Sequence, residues 1–129
     1  MNVNGVDFIT VPTRDFAAAE RFYGETLGLR RSKQWGEMPA REFETGSLTI
    51  AVMQSDAFGI PFAPHGHPIA LHVDDVAAAR AELEGQGIEF RGQTIDSGVC
   101  HMAIFSDPDG NALMFHHRYA PPEDSPPAA

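Results

Sequence analysis

The sequence of 129 residues predicts an α+β protein built from two β-α-β-β-β modules. Two observations indicate this fold class. First, the chain repeats itself: Asp15 and Ala17–Ala19 recur 60 positions later as Asp75 and Ala77–Ala79. Second, each copy of the repeat follows a short apolar run and precedes several strand-like runs. The same order of elements in both halves predicts a duplicated module.

The first module begins with a predicted strand over Val6–Pro12 and continues into a helix. Asp15 stands where a helix N-cap is needed, and apolar residues follow it at helical spacing. Gly28 is placed to end this helix in the left-handed backbone conformation. Three strand-like runs complete the module: Leu29–Trp35, Arg41–Thr45 and Leu48–Met53.

The second module has the same plan, with a predicted strand over Ile69–Val73, a helix after Asp75 and a helix end at Gly87. Asp107–Gly110 reads Asp-Pro-Asp-Gly, in which proline presets one turn position and glycine tolerates a positive φ. This segment is predicted to be the turn of the last hairpin. The strand-like runs of this module are Ile88–Thr94, Val99–Phe105 and Ala112–His117.

We expect a single domain over residues 1–120. Module one covers about 3–54, a linker with glycine and proline covers 55–67, and module two covers about 68–119. The tail at 121–129 has four prolines and no aromatic residue, which predicts disorder.

The charge balance excludes several kinds of partner. Nine Lys and Arg stand against 18 Asp and Glu, giving a net charge of −9, so nucleic acid and anionic membrane surfaces are not expected to bind. Hydrophobic residues make up 43% of the chain, enough for a packed core, and no apolar run is long enough to span a bilayer. The N-terminus lacks signal-peptide features and Cys100 is the single cysteine, so we expect a cytoplasmic protein.

The helix sequence D-x-x-x-A-x-x-F-Y-x-x-x-L-G-L over residues 15–29, together with DPDGNALMF over 107–115, resembles the vicinal oxygen chelate superfamily. That superfamily includes glyoxalase I, bleomycin-resistance proteins and extradiol dioxygenases. The resemblance implies cup-shaped mixed sheets around a cavity, with the helices on the outer face. It implies a divalent metal in enzymes, an apolar or aromatic drug in resistance proteins, and a homodimer as a common assembly.

The resemblance also marks four metal-ligand positions, and none carries a suitable ligand here. They are occupied by Phe8, Thr49, Pro68 and Met114. Phenylalanine and proline have no donor atom, and a thioether suits soft Cu(I) rather than the divalent ions of these enzymes. The sequence therefore predicts no bound metal and no cofactor.

Strand alternation predicts which side chains share the cavity face with those positions. These expected ligand contacts mix aromatic, small and imidazole groups: Phe8, Thr10, Trp35, His72, His101, Met114 and His116. Trp35 has packing between modules as its alternative role. Phe58–Phe62 is interpreted either as a lid or as a packing segment, and Glu42 and Glu44 as a solvated sheet edge.

Three functional hypotheses follow. The preferred one is a metal-free protein that sequesters an aromatic or amphipathic small molecule, with an acidic surface that suits cations. The second is a metal-dependent lyase, isomerase or dioxygenase whose ligands have moved to His67, His72, His101 and His116. The third is a domain whose site has decayed. His65 and His67 are otherwise expected to be exposed loop residues, His117 is assigned no chemistry, and Cys100 is expected to be buried.

Overall fold

A computed structural model describes residues 1–121 of the chain and confirms the predicted α+β class. Each half contains four strands and one α-helix in the predicted order. The elements are β1 (Phe8–Thr13), α1 (Phe16–Arg21), β2 (Arg30–Gln34), β3 (Ala40–Glu44), β4 (Thr49–Gln54), β5 (Ile69–His72), α2 (Val76–Gly85), β6 (Phe90–Asp96), β7 (Cys100–Ser106) and β8 (Ala112–Arg118). A π-helical turn over Phe22–Thr26 extends α1, and a 3₁₀ helix over Ser55–Phe58 follows β4.

The strands form two four-stranded sheets with matching orders, β1-β4-β3-β2 and β5-β8-β7-β6. In the first sheet β1 is parallel to β4, and β3 is antiparallel to both β4 and β2. This mixed topology places the first strand of the module beside its last strand. Such an arrangement requires the crossover that the helix provides.

Both helices begin at the aspartates that the sequence indicated. The side chains of Asp15 and Asp75 accept hydrogen bonds from the backbone N–H groups of Ala18 and Ala78, at 3.2 and 3.0 Å. Each bond satisfies one of the N–H groups that a helix start leaves without a partner. Gly28, beyond the first helix, has the predicted positive φ of 70°.

The structure divides into two compact units. The first contains Met1–Ile69 and Ser106–Leu113, and the second contains Ala70–Phe105 and the residues from Met114 onward. The linker and the Asp-Pro-Asp-Gly turn thus belong to the first unit. The tail predicted over 121–129 lies, from residue 122 onward, outside the described residues.

Each unit has its own apolar core. In the first unit Val11, Phe43 and Ile50 point to the same side of the sheet and are at most 1% exposed. The ring of Tyr23, from the helical segment, packs against Phe43 at a centroid distance of 5.9 Å. The helix therefore covers this face of the sheet.

The core of the second unit is aromatic. The ring of Phe105 lies 5.1 Å from that of Phe90 and 4.8 Å from that of Phe115, centroid to centroid. The guanidinium of Arg80, on α2, lies over the Phe90 ring at 4.9 Å. No helix among residues 1–121 is long and apolar enough to cross a membrane.

The predicted turn between β7 and β8 is confirmed, and its first residue accepts an unusual number of hydrogen bonds. The carboxylate of Asp107 accepts from the backbone N–H groups of Asp109 and Asn111, from the Asn111 side-chain amide and from the Tyr23 hydroxyl. These four bonds are 2.7 to 2.9 Å long. Burial, followed by the nearby Asp107 carboxylate, raises the pKa of Tyr23 well above its ordinary value.

Asn111 and Asp109 extend the turn's hydrogen bonds to other parts of the first unit. Asn111 donates to the carbonyl of Pro12 and accepts from the backbone N–H of His65, both at 2.8 Å. Asp109 accepts from the Thr13 hydroxyl at 2.5 Å and from the Arg14 N–H at 2.9 Å. The turn is thereby bonded to the end of β1, to the start of the helix and to the linker.

We predict that Tyr23→Phe will destabilise the protein by about 1–3 kcal/mol near neutral pH, because a buried carboxylate loses a donor. The same change should remove part of the alkaline loss of stability. In the wild type the unfolded phenol ionises above about pH 10 while the folded Tyr23 keeps its proton, so stability falls as the pH rises through that range. Urea unfolding between pH 7 and 11 measures both effects.

Tyr119→Phe is the matched control, because Tyr119 is the only other tyrosine and is 46% exposed. We expect it to reduce stability less than Tyr23→Phe does. An equal alkaline slope in the wild type and in Tyr23→Phe would contradict the assignment.

Candidate functional site

The face of the first sheet opposite the helix carries the candidate site. On β1, Phe8, Thr10 and Pro12 alternate with the buried Val11 and Thr13. The backbone register pairs these three residues with Thr49, Ala51 and Met53 of β4, and these with Glu44, Glu42 and Ala40 of β3. Because side chains opposite each other in a ladder point the same way, the nine residues share one face.

Three aromatic rings form a cluster that includes Phe8 of this face. The Trp35 ring meets Phe8 edge-on at a centroid distance of 5.4 Å and Phe58 at 6.0 Å. Phe8 is 40% exposed, an unusual state for a large apolar ring. The structure thus brings together two predicted ligand contacts, Phe8 and Trp35, and adds Phe58 from the segment interpreted as a lid or packing element.

Two carboxylates lie beside the cluster. Glu42 accepts a hydrogen bond of 2.6 Å from the Trp35 indole N–H. Glu44 accepts from the hydroxyls of Ser32 at 2.6 Å and Thr49 at 2.7 Å. The Ser32 bond, and then the Thr49 bond, hold the pKa of Glu44 below its ordinary value, so this carboxyl stays ionised at neutral pH.

The interpretation of Glu42 and Glu44 as a solvated sheet edge is wrong. Their strand, β3, lies between β4 and β2, so it is an inner strand whose backbone is bonded on both sides. Both side chains are only partly exposed. The short connections on either side of β3, residues 35–39 and 45–48, could have indicated this inner position.

A cavity of about 270 Å³ opens further along the same face. It is lined by residues of β1, β4 and the segment after β4: Thr10, Pro12, Met53, Ser55, Ile60, Pro61, Ala63 and His65. The volume is just below the roughly 300–1,000 Å³ of sites for drug-sized ligands, so it fits a compact molecule or one end of a larger one. Thr10, the next residue after Phe8 on this face, joins the cavity to the aromatic cluster.

His65 was expected to be an exposed loop residue, and that expectation is wrong. It is half-buried and lines the cavity, because its backbone N–H bonds to Asn111 and its carbonyl accepts from Ala112. The linker residues Ile60 and Ala63 also line the cavity. In the sequence, the only signal that the linker lines a cavity is its repeated proline and apolar residues.

The other predicted contacts belong to the second unit. Met114 and His116 on β8 are half-buried, whereas His72 at the end of β5 is exposed. The ring of His101 lies 4.6 Å from that of Tyr119, and its Nε2 is 3.4 Å from an Asp96 carboxylate oxygen. The Gly98 N–H and the Tyr119 hydroxyl lower the pKa of Asp96.

Of the four histidines in the alternative metal hypothesis, His72 lies in a group of potential ligands. Its companions there are Asp74 and His117, neither of which had been assigned any chemistry. Cys100 is 8% exposed, as expected for a buried thiol.

A model of the Glyoxalase/Bleomycin resistance protein/Dioxygenase superfamily matches residues 5–115. The chain belongs to this superfamily. The match covers most of the 129 residues, so the resemblance carried by the helix and turn motifs is confirmed. No curated protein sequence matches the chain significantly.

Solved structures are similar to this protein along most of the chain. TnmS3, an antibiotic binding protein from Streptomyces sp. CB03234, is 26% identical with a TM-score of 0.75, and the match covers 92% of this chain and 98% of that one. A Bacillus anthracis protein assigned to the glyoxalase family has the same identity, TM-score and coverage. Lactoylglutathione lyase from Agrobacterium tumefaciens, at 16% identity and a TM-score of 0.71, shares the fold over 90% of this chain and 95% of its own.

The superfamily's metal-ligand positions do not fit a divalent metal in this chain. The structure pairs Phe8 directly with Thr49 across β1 and β4, where the Phe8 ring packs on Trp35 and the Thr49 hydroxyl donates to Glu44. Pro68 offers no donor atom, and Met114 offers only a thioether. We therefore derive no metal chemistry at these four positions.

We predict that Ser32→Ala will raise the pKa of Glu44 toward that of a free glutamate, because it removes the hydrogen bond that lowers this pKa most. Thr49→Val should raise it by a smaller amount. Titration of the side-chain carboxyl carbon by NMR measures both. The Glu42 carboxyl, whose contact is with Trp35, is the internal reference, and a Glu44 pKa that stays the same in both variants would contradict the bonding described.

Proposed function

We propose that this protein binds a cationic aromatic or amphipathic small molecule on the open face of its first sheet, without using a metal. One observation carries the proposal: a partly exposed aromatic cluster and two carboxylates adjoin a cavity on one face of the sheet. The cluster is Phe8, Trp35 and Phe58, and the carboxylates are Glu42 and Glu44.

Each part of the site favours a different portion of such a ligand. Aromatic rings in edge-on or offset contact add about 0.5–1.5 kcal/mol beyond the burial of their area, so the cluster favours a planar ring system. Two carboxylates in a partly buried setting favour a positive group, as does the net charge of −9. The apolar walls that Pro12, Met53 and Ile60 give the cavity favour a compact hydrophobic end.

Binding rather than catalysis is supported by two features. The positions that hold the metal in enzymes of this superfamily carry side chains without suitable donors. In addition, TnmS3, which is similar to this chain over nearly its whole length, is an antibiotic binding protein. We extend that class of function, but not its particular ligand, to this chain.

Other parts of the proposal rest on the sequence alone. His72, His101, Met114 and His116 stay predicted ligand contacts from the second unit. A cytoplasmic homodimer stays the predicted form of the protein.

The proposal predicts selective binding of cations. In isothermal titration calorimetry, 9-aminoacridine, a planar cation at neutral pH, should bind, and acridine, its neutral relative, should bind more weakly. Trp35 is the only tryptophan, so a dye bound at the aromatic cluster should quench the tryptophan fluorescence of the protein. Equal binding of both dyes, or binding of the cation without a change in Trp35 emission, would contradict the assigned site.

Charge-removing variants separate the two carboxylates from the general acidity of the protein. Glu42→Gln and Glu44→Gln should each weaken 9-aminoacridine binding by about two- to fivefold, the range of a partly exposed ion pair, and leave acridine binding unchanged. Glu82→Gln, on the exposed side of α2, alters the net charge equally and should have no effect. If all three variants weaken binding equally, only the net charge attracts the dye.

A further inference from the structure

The second unit brings two imidazoles and a carboxylate together where β5 and β8 end. His72 is the last residue of β5, Asp74 lies in the turn before α2, and His117 is near the end of β8. β5 and β8 are neighbouring strands, and the backbone N–H of Val73 donates to the His116 carbonyl at 3.1 Å. The main chain therefore holds the three side chains near one another.

The three side chains are close enough to share one ion. One ligand atom of each lies within 4.8 Å of the other two, and Nε2 of His72 is 3.3 Å from Oδ1 of Asp74. In tetrahedral coordination two ligands at about 2.1 Å from one ion are about 3.4 Å apart, so the group has to close by up to about 1.4 Å. His72 and Asp74 can do so, because their side chains are 69% and 98% exposed and are free to rotate.

The hydrogen bonding of the group leaves its ligand atoms available. Nδ1 of His117 is buried and has no hydrogen-bond partner among the described residues. The only ion pair of Asp74 within residues 1–121 is with His72. Arg118 follows His117 in the sequence. Its guanidinium donates to the carbonyls of Ala120 and Pro121 and not to Asp74. A buried ring nitrogen without a hydrogen-bond partner is uncommon in proteins. Binding of a metal ion by the His117 imidazole would account for the position of this side chain.

The donor set selects the kind of ion. Imidazole nitrogen suits Zn²⁺, Ni²⁺, Cu²⁺ and Fe²⁺, whereas Mg²⁺ and Ca²⁺ prefer sites made wholly of oxygen. Two histidines with one carboxylate is a ligand combination that leaves at least one coordination position for water or an external ligand. The ion would bridge the end of β5, the following turn and the end of β8.

We propose that His72, Asp74 and His117 form a binding site for one divalent first-row transition-metal ion. None of these residues occupies a metal-ligand position that the superfamily resemblance marks. None lines the cavity or the aromatic cluster of the first unit. His72 is the one residue of the three that is also a predicted ligand contact, so the metal site is tested with Zn²⁺ alone.

The test uses the full chain without a histidine tag, treated with a chelator and titrated with ZnCl₂ by isothermal titration calorimetry. We expect one equivalent of Zn²⁺ to bind. His72→Ala and Asp74→Ala should each weaken binding by at least about tenfold, since even the loss of a residue that only supports a ligand costs that much. His72 and Asp74 are exposed, so neither variant should disturb folding. His117→Gln, in which glutamine has a size similar to that of histidine, tests whether His117 is the third ligand.

His67→Ala is the matched control, because His67 is an exposed histidine outside the group and its loss should leave Zn²⁺ binding unchanged. Co²⁺ added to the wild type should give visible absorption bands that disappear in His72→Ala. The proposal is overturned if no stoichiometric Zn²⁺ binds, or if His67→Ala weakens binding as much as His72→Ala does.

Discussion

The first unit depends on one buried carboxylate. Asp107 accepts four hydrogen bonds, and each bond to a charged group contributes about 1.5–3 kcal/mol when its partners are held in place. Through Tyr23 it fixes the helical segment, and through Asn111 it reaches β1 and the linker at His65. Proline and glycine favour the turn conformation, so the chain itself holds the carboxylate close to its donors in the turn, Asp109 and Asn111.

This anchoring explains why the two faces of the first sheet differ. Tyr23 holds the helix over the face that carries Val11 and Phe43. These side chains are therefore buried in the core of the first unit. The opposite face keeps Phe8 exposed and Glu44 ionised. The exposed Phe8 ring and the neighbouring carboxylates contribute less to folding stability than the covered face does, because none of them is fully removed from water.

Local sequence signals predicted most of the fold. An aspartate before a helical pattern caps a helix through its own side chain, so Asp15 and Asp75 identified both helix starts. Alternation along β1 correctly placed Phe8 and Thr10 on one face. Strand ends differed by one or two residues, because the last ladder bonds depend on the neighbouring strand.

The sequence by itself determined the duplicated module, the helix caps and the turn, because each depends on chemistry within a few residues. The tertiary structure decided which distant side chains meet. Trp35 meets Phe58, His65 lines a cavity, and His72 lies beside His117. Such pairs are set by strand order and by the path of the linker. No spacing along one chain segment encodes them, because they arise only when separate segments pack.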